Sequence, residues 1–327
     1  MGHLFSRSFE LPAEFERVSE ADLSNEPRAA HTPRADSPGR AGLAACCTLA
    51  LVVVAAARPA AQQVAQSLTS NHPADPALKS LTFTDAQHLF YNARYAEAAE
   101  LALALRESET QDLANDELRT SALLFQLKAL LEVPGSKEGN KKNALTRCAT
   151  CPALMEAFFT DVRHGQALAR EVLRTSPGDE VALFYLGKLD LNYVWLQLGP
   201  LRRKTGWDEY WEARHSLDAV LKTNPQHVRA IVSRAWIDYI VDTRMPWGTR
   251  WLLGGGNKER AVTAIGGATA IESPFYAHAE AEFALWDIQV RERDLAGATE
   301  VARRLAQNFP ENREVASFLE ARQTAPE

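Results

Sequence analysis

The sequence has a deficit of positive charge. It contains 36 lysines and arginines against 42 aspartates and glutamates, which gives a formal net charge of −6 at pH 7. Proteins that hold nucleic acid through its phosphates usually carry a basic excess. We therefore predict no nucleic-acid partner, although local arginine clusters can still bind individual anions.

Familiar catalytic and metal-binding patterns are also missing. The chain contains neither the G-x-S-x-G elbow of many hydrolases nor the H-E-x-x-H pair of zinc proteases. Several histidines are scattered without metal-ligand spacing, at His164, His215, His227 and His278. We predict a protein that is not an enzyme and that carries no metal and no cofactor.

Three consecutive glycines, Gly254–Gly256, precede Lys258 closely and raise the question of a phosphate-binding loop. A phosphate loop needs a hydroxyl residue after its lysine, and a dinucleotide fingerprint needs a third glycine, but Glu259 occupies both positions. The upstream residues have helical periodicity instead of that of a buried strand. We interpret the glycines as a joint before a helix, with Asn257 or Gly256 near its N-cap, where free N–H groups could receive an anion.

Cysteine is scarce, and Cys148 and Cys151 are the only two outside an apolar N-terminal segment. Pro152 follows the pair where a haem-attachment motif requires histidine, and no second C-x-x-C completes a zinc site. No βαβ pattern precedes the pair, which disfavours a thioredoxin-like redox site. A local disulfide is the simplest interpretation in an exported protein, and two buried free thiols are the alternative.

The N-terminal 80 residues differ in composition from the rest of the chain. Residues 1–40 lack helical or strand periodicity and are expected to be disordered. Residues 41–57 are uncharged and apolar, and small residues follow, so we expect 41–61 to be a signal peptide or an N-terminal inner-membrane anchor. The 40 preceding residues exceed a usual n-region, which leaves open a later start codon or a cytoplasmic tail. We predict a linker over 62–80 and a periplasmic or cell-envelope location.

A repeat of about 48 residues organises the remainder. Alanine-rich segments end at Pro177, Pro225 and Pro274, with spacings of 48 and 49 residues. Small residues recur in the same register, Gly187 with Ala235 and Ala213 with Ala261. Each unit therefore predicts a helix, a long connection, a second helix and a proline-marked turn, with small residues where the helices approach closely. Asp190 and Asp238 also correspond, and they predict either groove-facing carboxylates or structural ion pairs.

This pattern resembles the tetratricopeptide repeat, or TPR. Ala86 and Ala98 have the 12-residue separation typical of TPR hairpins, and "ARYAEAAELAL" is similar to a TPR second helix. The C-terminal unit fits apart from the bulky Trp286 at a position for a small residue. The resemblance implies an all-α fold, a right-handed α-solenoid of TPR-like hairpins over residues 81–320 with two central repeats of 48-residue period, followed by a disordered tail at 321–327. Further helices are expected over 116–132 and about 153–173, with a bend near Gly165.

The two central units each contain 14 more residues than a TPR hairpin, and these insertions are rich in tryptophan and arginine. Tryptophan gives a large contact area with a polar edge, and guanidinium groups can stack on it. Any single tryptophan can equally serve packing between repeats. We predict a partner-binding surface formed by Trp195, Arg202, Arg203, Trp207, Trp211, Arg244, Trp247, Arg250 and Trp251.

Two functions are compatible with this organisation. The first is a non-catalytic interaction scaffold that holds a partner protein or peptide in the TPR groove. The second resembles the TPR accessory subunits of certain periplasmic solute transporters, which would bind a small molecule. A closed pocket lined by aromatic side chains would favour the second, and an open groove with polar edges the first. An enzyme that uses the cysteine pair is the weakest alternative.

Overall fold

The computed structural model describes residues 81–107, 112–131, 144–203 and 205–324. The predictions for residues 1–40, 41–61 and 62–80 lie outside this part of the chain. Within it all regular structure is helical, without a strand, which confirms the all-α class. The α-helices are α1 (Phe83–Tyr91), α2 (Tyr95–Ala104), α3 (Asp112–Leu131), α4 (Ala144–Arg147), α5 (Cys151–Thr175), α6 (Glu180–Leu198), α7 (Trp207–Thr223), α8 (Val228–Arg244), α9 (Trp247–Arg250), α10 (Lys258–Ala268), α11 (Phe275–Arg291), α12 (Leu295–Asn308) and α13 (Arg313–Thr324).

Short polar side chains fix where several helices begin. Thr82 and Asp85 form a reciprocal capping box at the start of α1. Asp179 accepts a hydrogen bond from the backbone of α6, and Asp294 does the same for α12. These side chains satisfy N–H groups that have no partner inside the helix, so the helix starts are encoded locally.

The longer helices pack in chain order, each on the next. Helix α6 packs on α7, α8 on α10, and α11 on α12. Contacts also join the first helices of successive pairs, since α1 touches α3, α3 touches α6, and α8 touches α11. Gly187 illustrates the closeness of a pair, because an added Cβ would lie 3.0 Å from Leu217 Cγ and 3.3 Å from the Ala213 carbonyl. The small residue is therefore needed where α6 meets α7.

The first helix of the described region also meets α11 and the turn before α13. The Tyr91 ring stacks on Tyr276 and on Phe283, with ring centres 5.7 and 5.4 Å apart. The Asn312 side chain donates to the Tyr91 carbonyl at 2.7 Å, and the Glu311 N–H donates to Asn92 Oδ1 at 3.1 Å. The row of helices is thus closed by aromatic packing and hydrogen bonds between its two ends.

The glycine segment is held firmly instead of forming a free joint. The buried Arg214 guanidinium donates to the carbonyls of Leu253 and Gly254, at 3.1 and 2.9 Å. Gly256 lies so close to α8 that an added Cβ would come within 2.5 Å of the Asp238 carbonyl oxygen. Of the two residues predicted near the N-cap of α10, Asn257 occupies that position.

Two of the N–H groups in the first turn of α10 already have side-chain partners. The Lys258 N–H donates to Asp242 Oδ2 at 2.8 Å, and the Arg260 N–H donates to Asn257 Oδ1 at 2.7 Å. These carboxylate and amide oxygens occupy the positions that an anion would take. The geometry therefore gives no support to an anion site at this helix start.

The two repeated aspartates form structural pairs. Asp190 accepts from Gln166 at 2.6 Å, and Asp238 accepts from Arg234 at 2.6 Å and from Arg260 at 2.7 Å. Burial raises the pKa of Asp190 to about 8. The structural ion pair predicted from the sequence therefore fits Asp238, whereas the main partner of Asp190 is the neutral Gln166 side chain.

The other local expectations fall close to the observed helices. The predicted helices at 116–132 and 153–173 correspond to α3 and α5. Trp286 is buried against Phe283 and Phe318. Helix α13 extends to Thr324, four residues into the predicted disordered tail, because Val315 and Phe318 anchor it in the core.

None of the described helices meets the length and apolarity needed to cross a membrane.

Candidate ligand-binding cavity

A cavity of about 230 Å³ lies among the first helices of the successive pairs. Its wall comes mainly from one stripe on each of α1, α3, α6, α8 and α11. In α8 the stripe is Arg229, Val232, Trp236 and Ile240, with spacings of three and four residues. Such spacing places side chains on one helical face, so the inner face of each helix is defined by its own sequence.

The wall is rich in aromatic side chains. Eight of them line the cavity: Phe83, Phe90, Tyr91, Tyr95, Phe125, Trp195, Trp236 and Phe283. Phe125 packs on Tyr95 with ring centres 5.1 Å apart and on Phe90 with ring centres 5.6 Å apart. Rings that contact one another over an apolar cavity form a preformed surface for the apolar part of a ligand.

Four charged side chains form a closed cluster at one end of the cavity, which we call the ion quartet: Glu117, Lys188, Arg229 and Glu280. Lys188 Nζ lies 2.7 Å from Glu280 Oε1 and 3.6 Å from Glu117 Oε1. Arg229 donates from Nε to Glu280 Oε2 at 2.5 Å and from Nη2 to Glu117 Oε2 at 2.8 Å. Each cation thus bridges both carboxylates, and the quartet has no net charge.

The surroundings fix the positions of the quartet. Ser121 Oγ donates to Glu117 Oε1 at 3.0 Å, and Asn192 donates to Ser121 Oγ at 3.0 Å. The Arg229 guanidinium lies over the Phe184 ring, 4.9 Å from its centre. Burial alone would raise the pKa of Glu280, but the adjacent Arg229 and Lys188 cations outweigh it and lower this pKa to about 2. Glu280 is therefore ionised throughout the physiological range.

A second polar group lies further along α11. Arg291 donates to both carboxylate oxygens of Asp287, at 3.0 and 3.1 Å, and its guanidinium lies 5.4 Å from the centre of the Trp236 ring. Burial raises the pKa of Asp287, against the opposing effect of Arg291. Asp287 follows Glu280 by two helical turns, or about 10 Å. The aromatic zone of the cavity therefore lies between two charged zones.

The exposure of the quartet decides what a ligand would meet. Lys188, Arg229 and Glu280 keep 15, 16 and 15% of their side-chain surface accessible, whereas Glu117 keeps 4%. All four side chains line the cavity, but two cations and one carboxylate are partly accessible whereas the second carboxylate is largely covered. An apolar cavity of about 150 Å³ holds benzene, so this cavity by proportion holds roughly nine non-hydrogen atoms.

The predicted partner-binding residues occupy several different environments. Trp195, on α6, lines the cavity. Trp211 packs against the core and stacks on His215, with ring centres 5.6 Å apart. Trp207 begins α7 and is 41% exposed. The sequence-based set thus divides between the cavity wall, the core and the surface.

The remaining members lie at the ends of the two inserted connections. Arg202 and Arg203 follow α6, Arg244 ends α8, and Arg250 pairs with Asp242 at 2.7 Å. Two further members are Trp247 and Trp251, which are 86% and 73% exposed. The second insertion therefore carries an exposed aromatic surface that is separate from the cavity.

The pair Cys148 and Cys151 is joined by a disulfide immediately before and at the start of α5. Cys151 is buried, and Pro152 occupies the first turn of the helix, where a missing N–H costs little. The bond ties the turn to the helix that packs on α3. This is the arrangement that the disulfide interpretation of the sequence predicts.

Sequence reasoning missed the ion quartet. A weak indication exists, since Lys188 and Arg229 each begin an otherwise largely apolar stripe with spacings of three and four residues. Pairing them with Glu117 and Glu280 requires knowledge of which helices are neighbours in space. The members of the quartet are up to 163 residues apart in the chain, so no local motif marks them.

Within the described region no group of three or more histidine, cysteine, aspartate or glutamate side chains is arranged to hold a metal ion. A comparison of the chain with protein-family models, with curated proteins and with solved structures yields no match.

Proposed function

We propose that this protein is a non-catalytic binder of a small molecule, which it holds in the partly open cavity lined mainly by α1, α3, α6, α8 and α11. The observation that carries the proposal is the combination of eight lining aromatic side chains with a partly buried ion quartet whose members are fixed by mutual ion pairs. Ligand sites are typically concave and largely apolar, with a few fixed polar groups. The mutual pairing of the four charges supports binding in preference to proton transfer.

The proposal includes the architecture that the sequence suggests. The consecutive pairing of helices and the close approach at Gly187 support TPR-like hairpins with a 48-residue central period, and a solenoid whose ends meet at Tyr91. The resemblance to TPR accessory subunits of periplasmic solute transporters, the apolar run at 41–57 and the disulfide support a role in the cell envelope.

A screen for thermal stabilisation of the full chain by a metabolite library tests the proposal. A ligand at 100 times its Kd stabilises the folded state by about 2.7 kcal/mol. The critical variant is Ala284→Phe, because Ala284 is buried and lines the cavity. The matched control is Ala167→Phe, at an exposed position of α5.

The two variants give opposite expectations. Stabilisation by a hit should disappear in Ala284→Phe and persist in Ala167→Phe. A library without hits, or hits that Ala284→Phe leaves intact, would refute binding in this cavity.

We propose protein binding as a second candidate function, because Trp247 and Trp251 are 86% and 73% exposed. Large aromatic side chains are enriched at the energetic centres of protein interfaces. A protein or peptide partner that uses this surface should be lost from pull-downs of the native membrane fraction with the Trp247→Ala/Trp251→Ala variant. Retention of every partner by that variant would count against the interaction surface.

A further inference from the structure

We infer that the cavity binds a free α-amino acid with an apolar side chain, whose zwitterionic head lies against the ion quartet and whose side chain lies among the aromatic rings. This inference rests on the proposed small-molecule function and assigns the class of the ligand. Three steps lead to it: the charge balance of the quartet, the identity of its accessible groups, and the size of the apolar zone.

The charge balance selects a ligand head without net charge. Glu117 and Glu280 neutralise Lys188 and Arg229 through four ion pairs of 2.5 to 3.6 Å. A lone carboxylate would leave an uncompensated negative charge in this poorly hydrated place, and a lone ammonium would leave a positive one. Uncompensated buried charge is strongly unfavourable. A zwitterion adds both charges together and leaves the balance unchanged.

The accessible groups match the two halves of an amino acid head. Lys188 and Arg229 are cationic donors for the two oxygens of a carboxylate, and Glu280 is an acceptor for an ammonium group. All three retain about one-sixth of their surface toward solvent, while Glu117 is covered. Arg229 carries five N–H groups, of which two donate to Glu280 and Glu117, and a charged donor favours a carboxylate over a neutral acceptor.

The neighbouring wall suits an apolar side chain of moderate size. Directly beyond the quartet on three of its helices lie Leu191, Val232 and Phe283, followed by Trp195 and Trp236. The distance from the level of Glu280 to the second charged zone at Asp287 is about 10 Å. Leucine has nine non-hydrogen atoms, close to the roughly nine that the cavity holds by proportion to the benzene-sized case.

The test is a comparison of four probes with one shared alkyl group, by calorimetric titration of the full wild-type chain. The probes are L-leucine, 4-methylpentanoate, which lacks the ammonium, 3-methylbutylamine, which lacks the carboxylate, and the uncharged 3-methylbutan-1-ol. We expect leucine to bind at least about tenfold more tightly than any of the other three, which corresponds to about 1.4 kcal/mol. Equal or tighter binding of any analogue would overturn the assignment.

A charge variant gives a readout that a loss of stability cannot imitate. Glu280→Gln keeps the shape of the side chain but gives the quartet a net charge of +1, so 4-methylpentanoate should bind more tightly than leucine to this variant. An unchanged order of the two probes would overturn the role of the quartet.

Failure of this inference is distinguishable from failure of the proposed function. If neither leucine nor another apolar amino acid binds but a different library compound does, and Ala284→Phe abolishes that binding, the ligand class is wrong and the cavity still binds a small molecule. If no compound binds in a way that Ala284→Phe abolishes, both the inference and the proposed function are wrong.

Discussion

Replacement of Arg229 by methionine should destabilise the protein strongly. The arginine supplies half of the positive charge of the ion quartet, and its removal leaves Glu117 and Glu280 facing the single cation of Lys188. Breaking a buried ion pair by removing one partner costs about 3 to 5 kcal/mol. In a domain of this size that loss lowers the unfolding midpoint by roughly 10 °C.

The assay is urea and thermal unfolding of the full chain, followed by far-ultraviolet circular dichroism. The matched control is Arg174→Met, because Arg174 forms an exposed ion pair with Glu171 on the outer surface of α5. Exposed pairs contribute little, so the control should keep the wild-type midpoint. Equal effects of the two variants would refute the claim that the quartet is a tightly coupled buried cluster.

A double variant tests whether charge balance governs the stability of the ion quartet. Arg229→Met/Glu280→Met removes one charge of each sign and leaves Lys188 paired with Glu117. The double variant should therefore be more stable than Arg229→Met alone, although it carries an additional substitution in the core. If the stability lost in the double variant equals the sum of the losses in the two single variants, charge balance does not govern this cluster.

The pH dependence gives an independent check. Glu280 has a folded-state pKa of about 2, below its ordinary value of 4.5. Its contribution to stability is therefore present above about pH 5 and lost as the pH falls toward 2. The wild type gains stability as the pH falls from 7 to 5, because the folded-state pKa of Asp190 is raised to about 8 and that of Glu314 to about 7. In Arg229→Met the remaining carboxylates of the quartet are also under-compensated, so the same change of pH should stabilise the variant more than the wild type.

Three further predictions concern other parts of the molecule. Gly256→Ala should destabilise the protein by roughly 1 to 3 kcal/mol in urea unfolding, because the added Cβ meets backbone atoms of α8. Gly266→Ala, in open space on α10, should instead stabilise it by up to about 1 kcal/mol, and equal signs would contradict the packing argument. Titration of Cys148 and Cys151 should detect reactive thiols only after reduction. Because the disulfide closes a very short loop, its reduction should lower the free energy of unfolding by only about 2 kcal/mol. Asp190→Asn should raise the free energy of unfolding above about pH 4, and the gain over the wild type should grow until about pH 8, because the folded-state pKa of Asp190 is raised to about 8. A difference in stability between variant and wild type that stays constant from pH 4 to pH 8 would contradict this prediction.

Features that depend on neighbouring residues could be predicted from the sequence. The spacing of apolar residues predicted helices close to α3 and α5, and the polar residue at Asn257 marked a helix start. Gly187 was identified as a point of close helix approach because small residues recur in register with it. The period of apolar residues, helix capping and the need for a small residue act over a few residues or within one hairpin, so the sequence alone predicts them.

The site could be predicted only in part. Trp195 was among the predicted binding residues and lines the cavity, whereas Trp236, which also lines it, was not singled out, and Trp247 and Trp251 are exposed elsewhere. The sequence alone does not distinguish a tryptophan that lies in the core from one in a cavity wall or on the surface. Which of these it occupies depends on the direction of its helical stripe relative to neighbouring helices.

The sequence by itself determined that the described part of the chain is helical, where several helices begin, and which residues had to be small. Only the tertiary structure decided that Glu117, Lys188, Arg229 and Glu280 meet in one cluster and that Tyr91 closes the row of helices against its last members. The physical reason is the distance along the chain over which each kind of interaction acts. Helix formation and capping are satisfied within a few residues, whereas the balance of buried charge and the enclosure of a cavity depend on side chains from helices far apart in the chain.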